Sequence, residues 1–420
     1  MKQDSPDSAA LALDKLIREL GRVSDEKARL TRTFLSGAMG RANRLVGGWM
    51  REAGLAVRVD ALGNLIGRIE ARRPGAKTLV IGSHLDTVRD AGRYDGALGV
   101  LLPIVALGRL RRKDVRLPYT LEVVGFSEEE GVRFPGSYFG SKGYAGRLRA
   151  ADLRLRDDRG VSVGECLREW NGRHGRRAWE APERAHSARE LLGYLEVHIE
   201  QGPVLEDRGL SCCVVSAIAG QTRARIEFLG GAGHAGTTPM ALRRDALAGA
   251  AEFVLAAESL ARRRAPLVAT VGRLAVMPGA TNVIAGAAEL SLDVRHPRDR
   301  SRLDALRILR TAAERIARRR RLAVSFRVAQ DNPSVACSAG LTALLAQSVR
   351  AKLGRSLRIP SGAGHDAVVL SSLTPVAMLF VRCRAGVSHH PEERVEIGDL
   401  AAALAIVEDF LVRLAHRMPK

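Results

Sequence analysis

Four short stretches carry residue types that can hold cations and move protons. In Gly82-Ser83-His84-Leu85-Asp86-Thr87-Val88 an imidazole and a carboxylate stand two residues apart. At that spacing His84 can bind a metal through one ring nitrogen while Asp86 fixes the other N–H. Asp95 follows in the turn Gly92-Arg93-Tyr94-Asp95-Gly96, whose glycines allow the backbone to aim a carboxylate inward at a pair of ions. Ser127-Glu128-Glu129-Glu130-Gly131 supplies adjacent acids, one able to act as a ligand and the other as the base that takes a proton from water. In Tyr194-Leu195-Glu196-Val197-His198-Ile199-Glu200-Gln201-Gly202-Pro203, His198, Glu200 and Gln201 crowd the end of an apolar run. Singly, each stretch has a plainer reading: a surface His-x-Asp, a solvated acidic loop, a satisfied core histidine. Together they point to metal-assisted hydrolysis.

The elements that must position these residues alternate. Leu79-Val80-Ile81, closed by Gly82, predicts a strand buried in a parallel sheet. The run from Ala97 to Leu110 predicts a buried helix in which Pro103 is tolerable only close to the first turn. Leu121 to Phe126 predicts the next strand, so the chain reads as a doubly wound α/β sheet whose strand ends gather ligands. Helical periodicity over 9–21 and 37–53 and strands at 56–59 and 65–69 precede it.

From about Ser211 the pattern changes. Strand 223–228, helix 244–262, strands 267–274 and 287–295, helix 301–320 and strand 322–328 give the β-α-β-β-α-β order of a ferredoxin-like unit. The expected fold class is therefore α/β with a mostly parallel sheet over 1–211 and 329–420, interrupted by an inserted α+β domain over 212–328. Within the insertion, His234 sits in an exposed turn, Asn282 follows Pro278-Gly279-Ala280-Thr281, and Arg295 ends a strand with Asp293 two residues earlier on the same face. The returning chain is read as a helix over 339–353, then the glycine-rich loop Ser361-Gly362-Ala363-Gly364-His365-Asp366, where backbone N–H groups around Gly364 can bind an anion. A strand over 376–381, the histidine pair in Gly386-Val387-Ser388-His389-His390-Pro391-Glu392-Glu393 and a closing helix over 398–413 complete it.

With 420 residues and 46% hydrophobic content the chain can fill two cores. A net charge of +20 invites a nucleic-acid reading, but the arginines are dispersed, aromatics are 4%, and no nucleic-acid motif occurs. No nucleic-acid partner is expected. The start lacks a basic region followed by an apolar one, and no apolar run reaches membrane-spanning length, so no membrane partner and a cytoplasmic location are expected. Five cysteines without a Cys-x-x-Cys pair predict reduced thiols.

The motifs at 82–88, 95–96, 129–131, 196–203, 234–240, 282–283, 293–295, 361–367 and 388–393 occur in an order that resembles the binuclear metal amidohydrolases of the M20 peptidase-like superfamily. The pair His198-Ile199-Glu200-Gln201-Gly202-Pro203 and His234-Ala235-Gly236-Thr237-Thr238-Pro239-Met240 is similar to the branch of allantoate amidohydrolases, N-carbamoyl-L-amino-acid hydrolases and ureidoglycolate hydrolases. The resemblance implies two divalent metal ions, Mn²⁺ favoured over Zn²⁺, Co²⁺ or Ni²⁺, held by His84, Asp95, Glu130, His198 and His389, with Asp95 bridging. It implies Glu129 as general base and Asp86 as the residue orienting His84. Gln201, His234, Asn282 and Arg295 match contacts to a small carboxylate substrate, and the insertion matches a lid that also forms a homodimer, lending His234 and Asn282 to the partner's site. His390 departs from the pattern, in which a small or amide residue more often precedes the proline. The expected activity is allantoate amidohydrolase, with N-carbamoyl-L-amino-acid or ureidoglycolate hydrolysis as alternatives and a degenerate binding protein as the contrasting class. Polar groups beside Arg295 would favour allantoate, and an apolar pocket a carbamoyl amino acid.

Overall fold

The computed structural model describes residues 6–175 and 185–418, so residues 1–5, 176–184 and 419–420 of the expected first domain lie outside the description. The chain divides into two compact units, one of residues 1–216, 337–359 and 364–420, the other of residues 217–336 and 360–363.

The first unit opens with helices Pro6–Leu20 and Gly37–Glu52, then strands β1 (Ala56–Val59), β2 (Leu65–Ile69), β3 (Thr78–His84), β4 (Thr120–Phe126), β5 (Leu191–Ile199) and β6 (Cys212–Ile218). In the second unit the chain forms β7 (Gly220–Leu229), β8 (Gly233–His234), β9 (Val268–Met277), β10 (Val283–Ile284), β11 (Ala287–His296), β12 (Ala323–Asn332) and β13 (Val335–Ala336). It returns through helix Ala339–Leu353, β14 (Arg358–Ser361) and β15 (Val376–Val381) to the closing helix Ile397–His416.

The first unit's sheet runs β1-β2-β4-β3-β5-β15-β6. Its centre is parallel, with β3 between β4 and β5 and β15 beyond β5, while β1, β2 and β6 join antiparallel at the margins. The sheet is therefore mixed around a parallel core. Every residue of β3, β4 and β15 is buried, as expected of strands covered on both faces. On one face the helices Pro6–Leu20, Ala97–Arg112, Ala339–Leu353 and Ile397–His416 close one continuous apolar core.

Two expectations need correction. Pro103 is not confined to the first turn: it is the seventh residue of the continuous helix Ala97–Arg112. The i−4 carbonyl that its ring displaces belongs to Gly99, a residue with no side chain to crowd the site. The unit boundary falls at Ala217 rather than 212, because β6 pairs with β15 through Cys212–Val214 and so begins in the first sheet.

The second unit has a four-stranded antiparallel sheet in the order β12-β7-β11-β9 and two helices, Ala246–Arg262 and Asp299–Arg320. Ile226, Phe228, Phe253, Leu290, Leu309 and Ile316 form its core. The order is the β-α-β-β-α-β arrangement, with strands longer than the sequence alone suggested.

The helix that follows Asp95 is pressed onto the sheet at Gly99, where a Cβ would lie 2.2 Å from Val197 O and 2.7 Å from the Ser83 Cβ. Gly99→Ala is expected to destabilise the chain by about 1–3 kcal/mol through overpacking. Denaturant unfolding at matched m-value checks this, and an unchanged midpoint would contradict the packing described.

Candidate metal centre

The parallel register levels the strand ends. His84 is paired with Phe126, so the turn Ser127–Gly131 begins beside the imidazole, and β5 delivers His198 alongside. Asp95 arrives through Gly96, whose φ of +65° and position against the His84 ring, 2.4 Å from where a Cβ would be, exclude a side chain.

Two of the imidazoles are oriented by main-chain carbonyls. His84 Nδ1–H donates to Asp86 O at 3.0 Å and His198 Nδ1–H to Ile199 O at 2.9 Å. Both rings therefore turn Nε2 toward Asp95 Oδ1, at 3.4 Å and 3.0 Å. The other carboxylate oxygen, Oδ2, lies 3.1 Å from His389 Nε2, and that nitrogen lies 3.5 Å from Glu130 Oε1. Lone pairs facing one another at such distances require a proton or a cation between them. His84, Asp95 and His198 form one set of donor atoms within 4.8 Å of each other, Asp95, Glu130 and His389 a second, and His84, Glu129 and Glu130 a third. This mixed imidazole and carboxylate set fits a first-row divalent cation.

The electrostatics agree. Burial alone would raise the Asp95 pKa, but His198, His389 and His84 overturn that and hold it well below the usual carboxylate range. Burial, then the carboxylates of Glu130, Asp366 and Asp86, push Glu129 well above that range despite His84. Glu130, buried and facing Asp95, is raised to about 7. His389 is raised to about 9, first by its hydrogen bond with Asp95. Carboxyls raised by burial and by neighbouring acids are what a divalent cation would bring back down.

Asp86 makes contacts beyond the one expected with His84. Its carboxylate stands 3.6 Å from His84 Nδ1, farther than its own main-chain oxygen. Both carboxylate oxygens instead accept from Glu129 N at 3.0 Å, and Oδ2 from Glu130 N at 3.1 Å. Asp86 thus shapes the acidic turn, in which Glu128 takes a φ of +59°. Glu129 and Glu130 reach the donor sets, whereas Glu128 is fully buried and belongs to none of them.

Gln201, at a φ of +56°, donates Nε2–H to Asp95 Oδ2 at 3.0 Å and to Ser388 Oγ at 3.1 Å. Of the two adjacent histidines, His389 faces Asp95, while the exposed His390 lies 3.9 Å from Glu392. Gly364 is a close-approach glycine: a Cβ there would sit 2.1 Å from the Tyr138 hydroxyl.

Several participants carried no role in the sequence reading. Glu393 Oε1 accepts from Tyr94 N at 2.7 Å and Asp95 N at 3.1 Å, fixing the turn that aims Asp95, and Ser388 Oγ donates to Asp95 Oδ2 at 3.0 Å. Both stand in the 388–393 motif, where adjacency to His389 was the available signal. The buried His365 ring meets the His198 ring edge-on, with centroids 4.6 Å apart. Arg32, fully buried, donates to Leu85 O, between the two residues of the His-x-Asp pair, and to Val23 O at 3.0 Å. No local pattern marks it.

The first unit thus brings together His84, Asp86, Asp95, Glu129, Glu130, His198, Gln201 and His389. His234, Asn282 and Arg295 lie in the second unit. There the exposed His234 pairs with Val283 across β8 and β10, and Ala235 N donates to Asn282 O at 2.9 Å. Arg295 is gripped by Asp293, through Nε–Oδ1 at 2.9 Å and Nη2–Oδ2 at 3.0 Å.

Parallel strands whose carboxyl ends gather imidazoles and carboxylates around one shared aspartate define a class, the α/β enzymes with a cation-holding centre at the strand ends. Residues 80–413 match the model of peptidase family M20/M25/M40. The chain is 40% identical over 424 residues to an allantoate deiminase of Arabidopsis thaliana, covering 93% of this chain and 80% of that protein. It is 37% identical over 404 residues to an N-carbamoyl-L-amino-acid amidohydrolase of Pseudomonas sp. strain NS671, covering 94% and 96%. An amidase of the hydantoinase/carbamoylase family from Burkholderia multivorans superposes with a TM-score of 0.89 at 31% identity, covering 96% and 97%. The chain belongs to the M20/M25/M40 peptidase family and is a hydrolase acting on C–N bonds.

Asp95→Ala removes the carboxylate common to two donor sets. Metal analysis after gel filtration is expected to show loss of the divalent metal that the parent protein carries, and full retention would contradict the assignment.

Proposed function

We propose that this hydrolase cleaves a ureido C–N bond of a small carboxylate, with allantoate as its preferred substrate, releasing ammonia and CO2. The observation that carries the choice is the polar setting of Arg295. Asp293 joins it to Gln221, whose Nε2 lies 2.7 Å from Asp293 Oδ2, and to Arg223, whose Nε lies 3.1 Å from the same oxygen. Such groups suit a substrate with a second ureido arm better than one with an apolar side chain. The alternative, an N-carbamoyl-L-amino-acid hydrolase, draws support from the Pseudomonas relative, which aligns over 96% of its own length.

Two divalent cations, Mn²⁺ in the first instance, would be held by His84, His198, Asp95, Glu130 and His389. When bound they would supply the field that polarises the ureido carbonyl and acidifies water. The chain's own residues do the rest. Asp86 holds the acidic turn so that the Glu129 carboxylate faces the reacting water, takes its proton and returns it to the leaving nitrogen. Gln201 keeps Asp95 in place, and Arg295 offers a planar fork to the substrate carboxylate. His234 would stabilise the developing oxyanion from a neighbouring subunit, in a homodimer formed through the second unit as a lid. Among the described residues no helix is long and apolar enough to cross a membrane, and we place the enzyme in the cytoplasm.

Three measurements follow. Ammonia release by Mn²⁺-loaded protein from a panel of allantoate, ureidoglycolate and N-carbamoyl-L-amino acids is expected to be fastest with allantoate, and a preference for carbamoyl amino acids would reverse the assignment. Glu129→Gln should keep its metal and lose roughly 10²–10⁴-fold in kcat, whereas near-parental turnover would move the base elsewhere. Mixing inactive His234→Ala and Glu129→Gln proteins should restore activity, since one site of the mixed dimer receives neither defect. Exchange of subunits without any recovery would refute the shared site.

A further inference from the structure

Gln221, Arg223, Asp293 and Arg295 form a square on one face of the second unit's sheet. Arg223 pairs directly with Asp293, and Gln221 with Arg295, across β7 and β11. Directly opposed residues share a face, as do residues two apart on one strand. The face is the one away from the helices, since Thr222, Ala224 and Ile226, alternating with these residues, are buried. Both neighbouring strand pairs slip register at this point, β11 on β9 between Ser291 and Asp293, and β12 on β7 between Val328 and Gln330. Bulges of this kind re-aim side chains and gather beside functional sites.

Within the square Asp293 is the hub. Its carboxylate accepts from Arg295 Nε and Nη2, from Gln221 Nε2 and from Arg223 Nε. The Gly362 carbonyl, in the same unit, accepts from Arg295 Nη1 at 2.6 Å. A guanidinium has five N–H groups. Three are committed here, to two Asp293 oxygens and one carbonyl, which leaves one on Nη1 and one on Nη2. Two arginines share one carboxylate, so the square keeps a net positive charge, which Arg223 shares while its Nη1 lies 3.4 Å from Gln330 Oε1.

We propose that Asp293 is a positioning residue for substrate selection: by holding the Nε edge of Arg295 it leaves the two terminal N–H groups as a fixed fork for the substrate carboxylate. This rests on the reading of Arg295 as the carboxylate anchor. Without Asp293 the guanidinium would rotate among several acceptors, and the entropy of fixing it would fall on substrate binding. Asn cannot replace it, because its amide N–H₂ would face a guanidinium N–H.

The test compares allantoate with bis-ureidoacetamide, its carboxamide, on parental enzyme, Asp293→Asn, Arg295→Ala and the double variant, each Mn²⁺-loaded. If the panel selects carbamoyl amino acids, N-carbamoyl-L-alanine and its amide take their place. Asp293→Asn is expected to lower kcat/KM for the carboxylate roughly tenfold or more, chiefly through KM, while the carboxamide changes by less than about twofold. In the Arg295→Ala background the same substitution should have no further effect, because its route of action is gone. Equal losses on carboxylate and carboxamide, or additive losses in the double variant, would make Asp293 a merely structural residue and overturn the proposal. An Arg295→Ala protein that retains its preference for the carboxylate would refute the anchor reading itself, a distinct outcome. Should Asp293→Asn melt below assay temperature, Asp293→Glu keeps the charge, displaces the carboxylate by one methylene, and is expected to show the same selective loss.

Discussion

The sharing of Asp95 between imidazoles is the interaction on which the rest of the first unit depends. One oxygen faces His84 and His198 and the other His389, so three chain segments far apart in sequence converge on one carboxylate. Bringing such groups together in a buried place is costly unless opposite charge is supplied. The fold meets that cost with parallel strands that end level, a helix packed at Gly99 directly after Asp95, and Glu393 accepting from the Asp95 backbone. Main-chain carbonyls settle the tautomers of His84 and His198, leaving Nε2 as the donor atom on each.

Around this centre the acids are sorted by what holds them. Asp86 accepts from the Glu129 and Glu130 backbones and so determines which of three consecutive glutamates point inward. Glu128 is consumed in the turn's geometry, at positive φ and buried. We therefore trace the proposed division between a base and a ligand to a backbone turn rather than to the carboxylates themselves, which are chemically alike.

Much of this was legible in the sequence, for reasons that also explain what was not. Strands β3, β4 and β15 read correctly because burial on both faces makes nearly every residue apolar or small, Glu122 and the terminal His84 apart, a signal that needs no partner. His84, Asp95 and His198 could be nominated because each sits at a strand end or in a glycine-rich turn, whereas Glu130 and His389 were singled out by the resemblance to the M20 superfamily. The main-chain contact of Asp86 with His84 was not legible because the spacing of His-x-Asp suggests only the side-chain contact, which stands here at 3.6 Å beside the shorter one made by the main chain. Arg32 and Glu393 were missed because their partners, Leu85 and Tyr94–Asp95, lie 53 and 298 or 299 residues away, and no local period records such distances. The grip of Asp293 on Arg295 was visible as a spacing, but its closure by Gln221 and Arg223 depends on a cross-strand register that one strand cannot specify.

We propose that Asp95 lies between two cation positions, one lined by His84 and His198 and the other by Glu130 and His389. Anomalous diffraction at the manganese edge, from crystals of the Mn²⁺-loaded protein, tests it most directly. The account predicts two peaks flanking the Asp95 carboxylate at roughly 3.5–4 Å from each other, the separation usual in two-metal sites. A single peak, or a pair elsewhere in the chain, would contradict it.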